Sequence, residues 1–188
     1  NASFQLGAFH WLMEALQGSC KELGLKPDPC WREVQESLPR ACLHEAEGEE
    51  QIDLWEGTPL EESHRHHSHL AGVYPWDVID TRDLRCKRAV NNSISHWMNK
   101  GMGAWTGWCI PWAAILQERT GIPGLAELTM EYWEQLFTNE GHGTRISPMY
   151  YMTWGKLDKN AEYDPGDDEV MQIEAGMAAC AAVMDFLA

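Results

Sequence analysis

Apolar residues recur at three- and four-residue spacing along most of this chain, with glycine or proline between the runs. That pattern commits the backbone to amphipathic helices and leaves little room for a sheet. The spacing predicts a helix over 3–24, where Phe4, Ala8, Leu12, Leu16 and Cys20 recur with Phe9 and Met13 beside them. Ser3 is its expected cap and Gly24 its stop. A short helix is expected over 29–37, with Trp31, Val34 and Leu38 on one side. A longer one is expected over 82–100, capped by Thr81, with Asp83 in the first turn and Leu84, Val90, Ile94, Trp97 and Met98 as its apolar face. Trp105, Trp108, Trp112, Ile115 and Leu116 mark a stripe on a helix over 106–120. Pro111 is early enough there to be tolerated, and Gly121 ends the run. Pro123 opens the next helix, which carries Leu125, Leu128, Tyr132 and Leu136 to about Thr138. The last helix covers about 172–188, where Ala175, Gly176, Ala178, Ala179, Ala181 and Ala182 permit close helix approach.

Two stretches depart from the helical pattern. Residues 40–62 gather Glu45, Glu47, Glu49 and Glu50 around Gly48 and then alternate through Ile52, Asp53, Leu54 and Trp55, as an acidic loop or small hairpin would. Residues 139–169 form a long polar connection, and loops of that length in a compact domain are more often functional than idle. The fold class is therefore all-α with long functional loops. At 188 residues the chain can bury a sizeable core without disulfides, and its six cysteines show no paired spacing, so reduced thiols are expected. A net charge of −15 disfavours nucleic acid and anionic membrane surfaces as partners. No run of 18 apolar residues is present, so no transmembrane helix is expected. The chain starts at Asn1, and helical patterns begin and end close to its termini, as in a processed chain or a piece of something larger.

Three clusters could carry chemistry. The first is Glu61-Glu62-Ser63-His64-Arg65-His66-His67-Ser68-His69-Leu70-Ala71-Gly72-Val73-Tyr74-Pro75. Imidazoles and a guanidinium this close can hydrogen-bond several hydroxyls, as sugar recognition needs. A metal site on His64, His66 and His69 is a rival reading, although the spacing does not fit H-E-x-x-H and Arg65 sits amid the donors. A solvated turn is the plain alternative. The second cluster, Ala104-Trp105-Thr106-Gly107-Trp108-Cys109-Ile110-Pro111-Trp112, sets aromatic faces beside exposed backbone N–H groups, the alternative being core packing. The third is Met171-Gln172-Ile173-Glu174-Ala175-Gly176-Met177, where a lone acid enters a helix of small residues. A helix N-terminus favours the ionised carboxylate, which suits a general base or merely satisfies the dipole.

Taken in order, His-Arg-His-His-Ser-His-Leu-Ala-Gly-Val-Tyr-Pro (64–75), Gly-Ala-Trp-Thr-Gly-Trp-Cys-Ile-Pro-Trp (103–112) and Gln-Ile-Glu-Ala-Gly-Met (172–177) resemble the catalytic domain of family 95 glycoside hydrolases, the inverting α-L-fucosidases and their relatives. Trp55 falls where that family carries a Trp shortly before the His block. The resemblance implies an (α/α)6 barrel of about twelve helices, of which residues 1–188 would be the C-terminal half. It implies inverting hydrolysis of a terminal L-fucose-like or L-galactose-like residue from an oligosaccharide. Glu174 would be the base component, and Arg65, His66, His69, Trp108 and Trp55 would bind the sugar. The general-acid Glu and the Asn residues that hold the attacking water would lie upstream of Asn1, so the upstream half of the domain is the implied partner and the chain alone would lack the acid. No cofactor and no metal are implied. Family members are often secreted or periplasmic, which leaves the compartment open. Glu174 stands where the family has Asp, and Ala175-Gly176-Met177 replaces G-N-F. A non-catalytic carbohydrate-binding helical domain is the alternative function.

Overall fold

A computed structural model describes residues 1–46, 48–138 and 172–188. Among them are six α-helices and one two-stranded sheet, so the protein is mostly helical. The elements are α1 (Ser3–Glu22), α2 (Pro29–Ser37), β1 (Leu43–Ala46), β2 (Glu49–Ile52), a 3-10 turn (Ser68–Leu70), α3 (Leu84–Asn99), α4 (Cys109–Arg119), α5 (Pro123–Phe137) and α6 (Ile173–Phe186). The long connection expected over 139–169 lies outside the described residues. The chain divides into two compact units, one of residues 1–61 and 67–99, the other of residues 62–66 and 100–188.

In the first unit, α1 buries a different face from the one its apolar spacing suggests. Leu6, Gly7, His10 and Met13 face inward, while Phe4, Phe9, Trp11 and Leu12 are each more than 40% exposed. Gly7 accounts for the choice. A Cβ there would stand 2.9 Å from Trp76 Cδ1 and 3.2 Å from Gly72 Cα, so only a bare helix surface lets the chain after the 3-10 turn come this close. Ser3 is not the cap. It is buried, its hydroxyl donates to Asp53 O (2.6 Å) and accepts from Cys42 N (3.0 Å), and it thereby ties α1 to the chain at both ends of the hairpin. Ala2 precedes the helix, and its N–H donates to Gln5 Oε1 at 3.3 Å.

The small hairpin forms as an antiparallel pair with Leu43 opposite Ile52 and His44 opposite Gln51. Its acidic strand faces α3. Arg85 forks onto Glu50 at 2.7 and 2.5 Å, Asn92 Nδ2 donates to Glu49 Oε2 at 2.8 Å, and Ile52 N donates to the buried Ser93 Oγ at 2.8 Å. The Arg85 guanidinium holds the Glu50 carboxyl below its ordinary range. Asp83, rather than the expected Thr81, caps α3, accepting from the backbone N of Arg85 (3.0 Å) and Cys86 (2.9 Å). Val90, Ile94 and Trp97 fill the interior from α3, whereas Leu84 is 73% exposed. The fully buried Asp53 has a carboxylate oxygen against Nδ1 of His44 on β1.

In the second unit, every residue of α4 from Cys109 to Gln117 is buried. The Trp/Ile/Leu stripe expected there is one side of a helix enclosed all round, which requires neighbours on several sides. α5 and α6 both pack on it. Small residues Ala175, Ala179 and Ala182 form the buried side of α6, as their size suggests. α5 buries Ala126, Thr129 and Phe137, while Leu128 and Tyr132 point outward, against the expected Leu/Tyr face. Gln117 is the reason at Thr129: it is wholly buried, and its Oε1 accepts from the Thr129 hydroxyl at 2.8 Å. Gly121 ends α4 in the left-handed region at φ +78°. Arg119 forks onto Asp185 at 2.7 and 3.1 Å, joining α4 to α6. All six cysteines are free thiols. Among the described residues, no helix is long and apolar enough to cross a membrane.

Candidate functional site

The three sequence clusters do not share one environment. The His block is split between the units: His64, Arg65 and His66 belong to the second, His67 and His69 to the first. His67 and His69 are buried at 0% and 2% exposure, and the His67 ring lies 4.2 Å from that of Trp97. His69 lies in the 3-10 turn with its Nδ1 enclosed. Trp55, also in the first unit, is 52% exposed in a tight turn, where Thr58 N donates to Trp55 O at 2.8 Å.

In the second unit, His64 and His66 stay open and meet the start of α4. The rings form a row. His64 lies 5.3 Å from His66, His66 lies 5.9 Å from Trp108, and Trp108 lies 4.5 Å from Trp112. Trp112 anchors the row in the core at 6% exposure, and Trp108 is half-buried. The backbone N of His66 donates to His64 Nδ1 at 2.9 Å, which ties the His64 ring to the chain at His66. Although His66 is exposed as a residue, partial burial of its ring lowers its pKa from the usual histidine value, with the charges of Arg65 and His64 acting in the same direction. The neutral ring is thereby favoured near pH 7, with one nitrogen donating and the other accepting. Beside it, Arg65 supplies a fixed positive fork that only donates.

The loop that presents Trp108 is held from two sides. Trp133 Nε1 of α5 donates to Gly107 O at 2.7 Å. The Ser63 hydroxyl donates to Gly101 O at 2.7 Å and accepts from Ala104 N at 3.1 Å. The Cys109 thiol donates to Arg65 O at 2.7 Å and accepts from Thr106 N at 3.3 Å. Burial pushes the Cys109 pKa up to about 11, so the sulfur keeps its proton. Sequence reasoning assigned no role to Ser63 or Cys109. Gly101 and Ala104 stand 38 and 41 positions from Ser63, and Arg65 stands 44 from Cys109, and no local pattern announces such pairings.

Glu174 occupies the first turn of α6, where it is exposed, and Gln172 Nε2 donates to its Oε1 at 3.1 Å. The described contacts join His66 to Trp108 and leave Glu174 with Gln172. Among the described residues, no group of three His, Cys, Asp or Glu side chains is placed to hold a metal ion.

An imidazole against a half-open Trp, with an arginine charge acting on it, can grip a polyhydroxylated ring, while an open carboxylate at a helix start can hold a water. No curated protein matches the chain. The model of the glycosyl hydrolase family 95 catalytic domain matches residues 7–187, and the chain belongs to that family.

Proposed function

We propose that the chain is the C-terminal half of an (α/α)6 catalytic domain that hydrolyses a terminal L-fucose-like or L-galactose-like residue with inversion. Membership of the family makes it a glycoside hydrolase domain with a glycan substrate. The observation that carries the finer reading is the row from His64 through His66 and Trp108 to Trp112, with the charge of Arg65 acting on the His66 ring. An aromatic face stacks on the apolar side of a sugar ring, and the Arg65 and His66 nitrogens reach its hydroxyls. Trp55 and His69 are further sugar-binding candidates on the resemblance alone.

Glu174 is the base component. It stands in the first turn of α6, and the Gln172 amide fixes one of its oxygens, leaving the other for a water. In an inverting enzyme the two carboxyls stand roughly 6.5–9.5 Å apart, with the water between base and sugar; the resemblance implies that the general acid lies in the upstream half. The test is kcat on a fucosyl substrate in the full-length protein. Glu174→Gln keeps size and hydrogen bonding but removes the charge, and losing a base typically costs ~10²–10⁴-fold. Glu174→Asp should keep part of the activity, and KM should change far less than kcat. A Gln variant with near wild-type kcat would leave Glu174 as a helix-capping charge only.

A further inference from the structure

We propose that Ser63 and Cys109 are positioning residues, which together set Arg65 and His66 against Trp108. The proposal rests on the reading of Arg65, His66 and Trp108 as a sugar-binding wall. Residues 62–66 lie in no helix or strand, so no regular ladder of backbone hydrogen bonds runs along them. Two side chains add ties of their own. Ser63 uses its hydroxyl in both directions, donating to Gly101 O and accepting from Ala104 N. A hydroxyl both donates and accepts, so one short side chain serves a carbonyl and an N–H at once. Two residues later, Arg65 O receives the Cys109 thiol. The backbone carrying Arg65 and His66 is thereby clamped to residues 101–109, the segment that carries Trp108.

The chemistry of Cys109 suits the task. It is wholly buried at the first position of α4, a helix enclosed on every side, so its sulfur is a fixed point. Its raised pKa keeps it a donor across the neutral range. Thr106 N donates to the same sulfur and fixes its direction. Placement to about half an ångström is what a hydrogen-bonding wall needs, and loops reach it only when their own supports are locked.

The experiment compares Cys109→Ala, Cys109→Ser, Cys109→Val, Ser63→Ala and Ser63→Thr in the full-length protein. Two readouts are used. One is the His66 ring proton shift by NMR, assigned by its loss in His66→Gln, since a ring 5.9 Å from an indole senses its ring current. The other is KM and kcat on a fucosyl substrate. Losing one hydrogen bond should raise KM about five- to tenfold with a smaller effect on kcat, and the His66 shift should move toward that of free histidine. Cys109→Ser and Ser63→Thr, which keep a donor, should recover most of both. If Cys109→Ala does not fold, Ser63→Ala at a half-buried site carries the same comparison. Unchanged His66 shift and KM in the alanine variants would overturn the proposal. So would a loss in Cys109→Ser as large as in Cys109→Val, which would mark a volume effect. A moved His66 shift, with KM indifferent even to Arg65→Ala and Trp108→Ala, would uphold the positioning and reject the sugar-wall reading beneath it.

Discussion

α1 and α4 are both rich in apolar residues, yet they use them in opposite ways. α4 buries nine consecutive residues, from Cys109 to Gln117. α1, nearly twice as long, buries only Ser3, Leu6, Gly7, His10 and Met13, two of which are polar. Three of its largest apolar side chains, Phe4, Phe9 and Trp11, are among those left open. The comparison teaches that apolar spacing identifies a helix but does not choose its buried face. In α4 the question never arises, because helices pack around it. In α1 the choice falls to close approach at Gly7 and to the anchoring of Ser3 and His10. His10 Nε2 donates to the carbonyls of Leu38 (3.1 Å) and Pro39 (3.2 Å), which requires its proton on that nitrogen.

The largest expected effect tests this contrast directly. Leu116→Ala in α4 should cost about 2–5 kcal/mol, because a fully enclosed cavity is left behind. Leu12→Ala in α1, at 43% exposure, should cost less than about 0.5 kcal/mol. Urea unfolding of both variants measures the difference, and equal costs would break the comparison.

A smaller effect sharpens the account of α1. Gly7→Ala improves helix propensity, so a free helix face would gain stability from it. Here the added methyl meets Trp76 and the Gly72 backbone, and overpacking should cost about 1–3 kcal/mol instead. A stabilised variant in thermal unfolding would show that the contact yields at no cost.

The smallest effect concerns the open histidines against the buried ones. His66 has a folded pKa below its ordinary value, so the unfolded chain binds the proton more tightly. Its contribution therefore disfavours folding as pH falls below about 6.5 and vanishes above it. Sugar binding should weaken over the same acid range, as His66 gains a charge beside Arg65. An NMR titration of His66 should give a pKa below that of a free histidine, and a value at or above it would contradict the burial and charge that act on the ring.

Much of the fold is legible in the sequence because its signals are local. Helix spacing, Gly121 as a stop, Pro123 as a start, the acidic hairpin around Gly48 and the small-residue face of α6 depend on residues a few positions apart. The three ordered motifs marked the family for the same reason. Caps were legible only in part: Thr81 and Asp83 are both plausible by residue type, and the geometry of the turn selects Asp83.

What tertiary structure alone decided is the environment of chemically similar neighbours. His64, His66, His67 and His69 lie within six positions, yet two are open and two are sealed in the other unit. Cys109 reads as a small hydrophobe, and only its contact with a carbonyl 44 residues away makes it a clamp. Local spacing records the hydrogen bonds a segment makes with itself. Burial and pairing depend on which distant segment arrives opposite, and that is settled by packing: where a missing Cβ lets two backbones approach, and where an enclosed polar atom must find its partner.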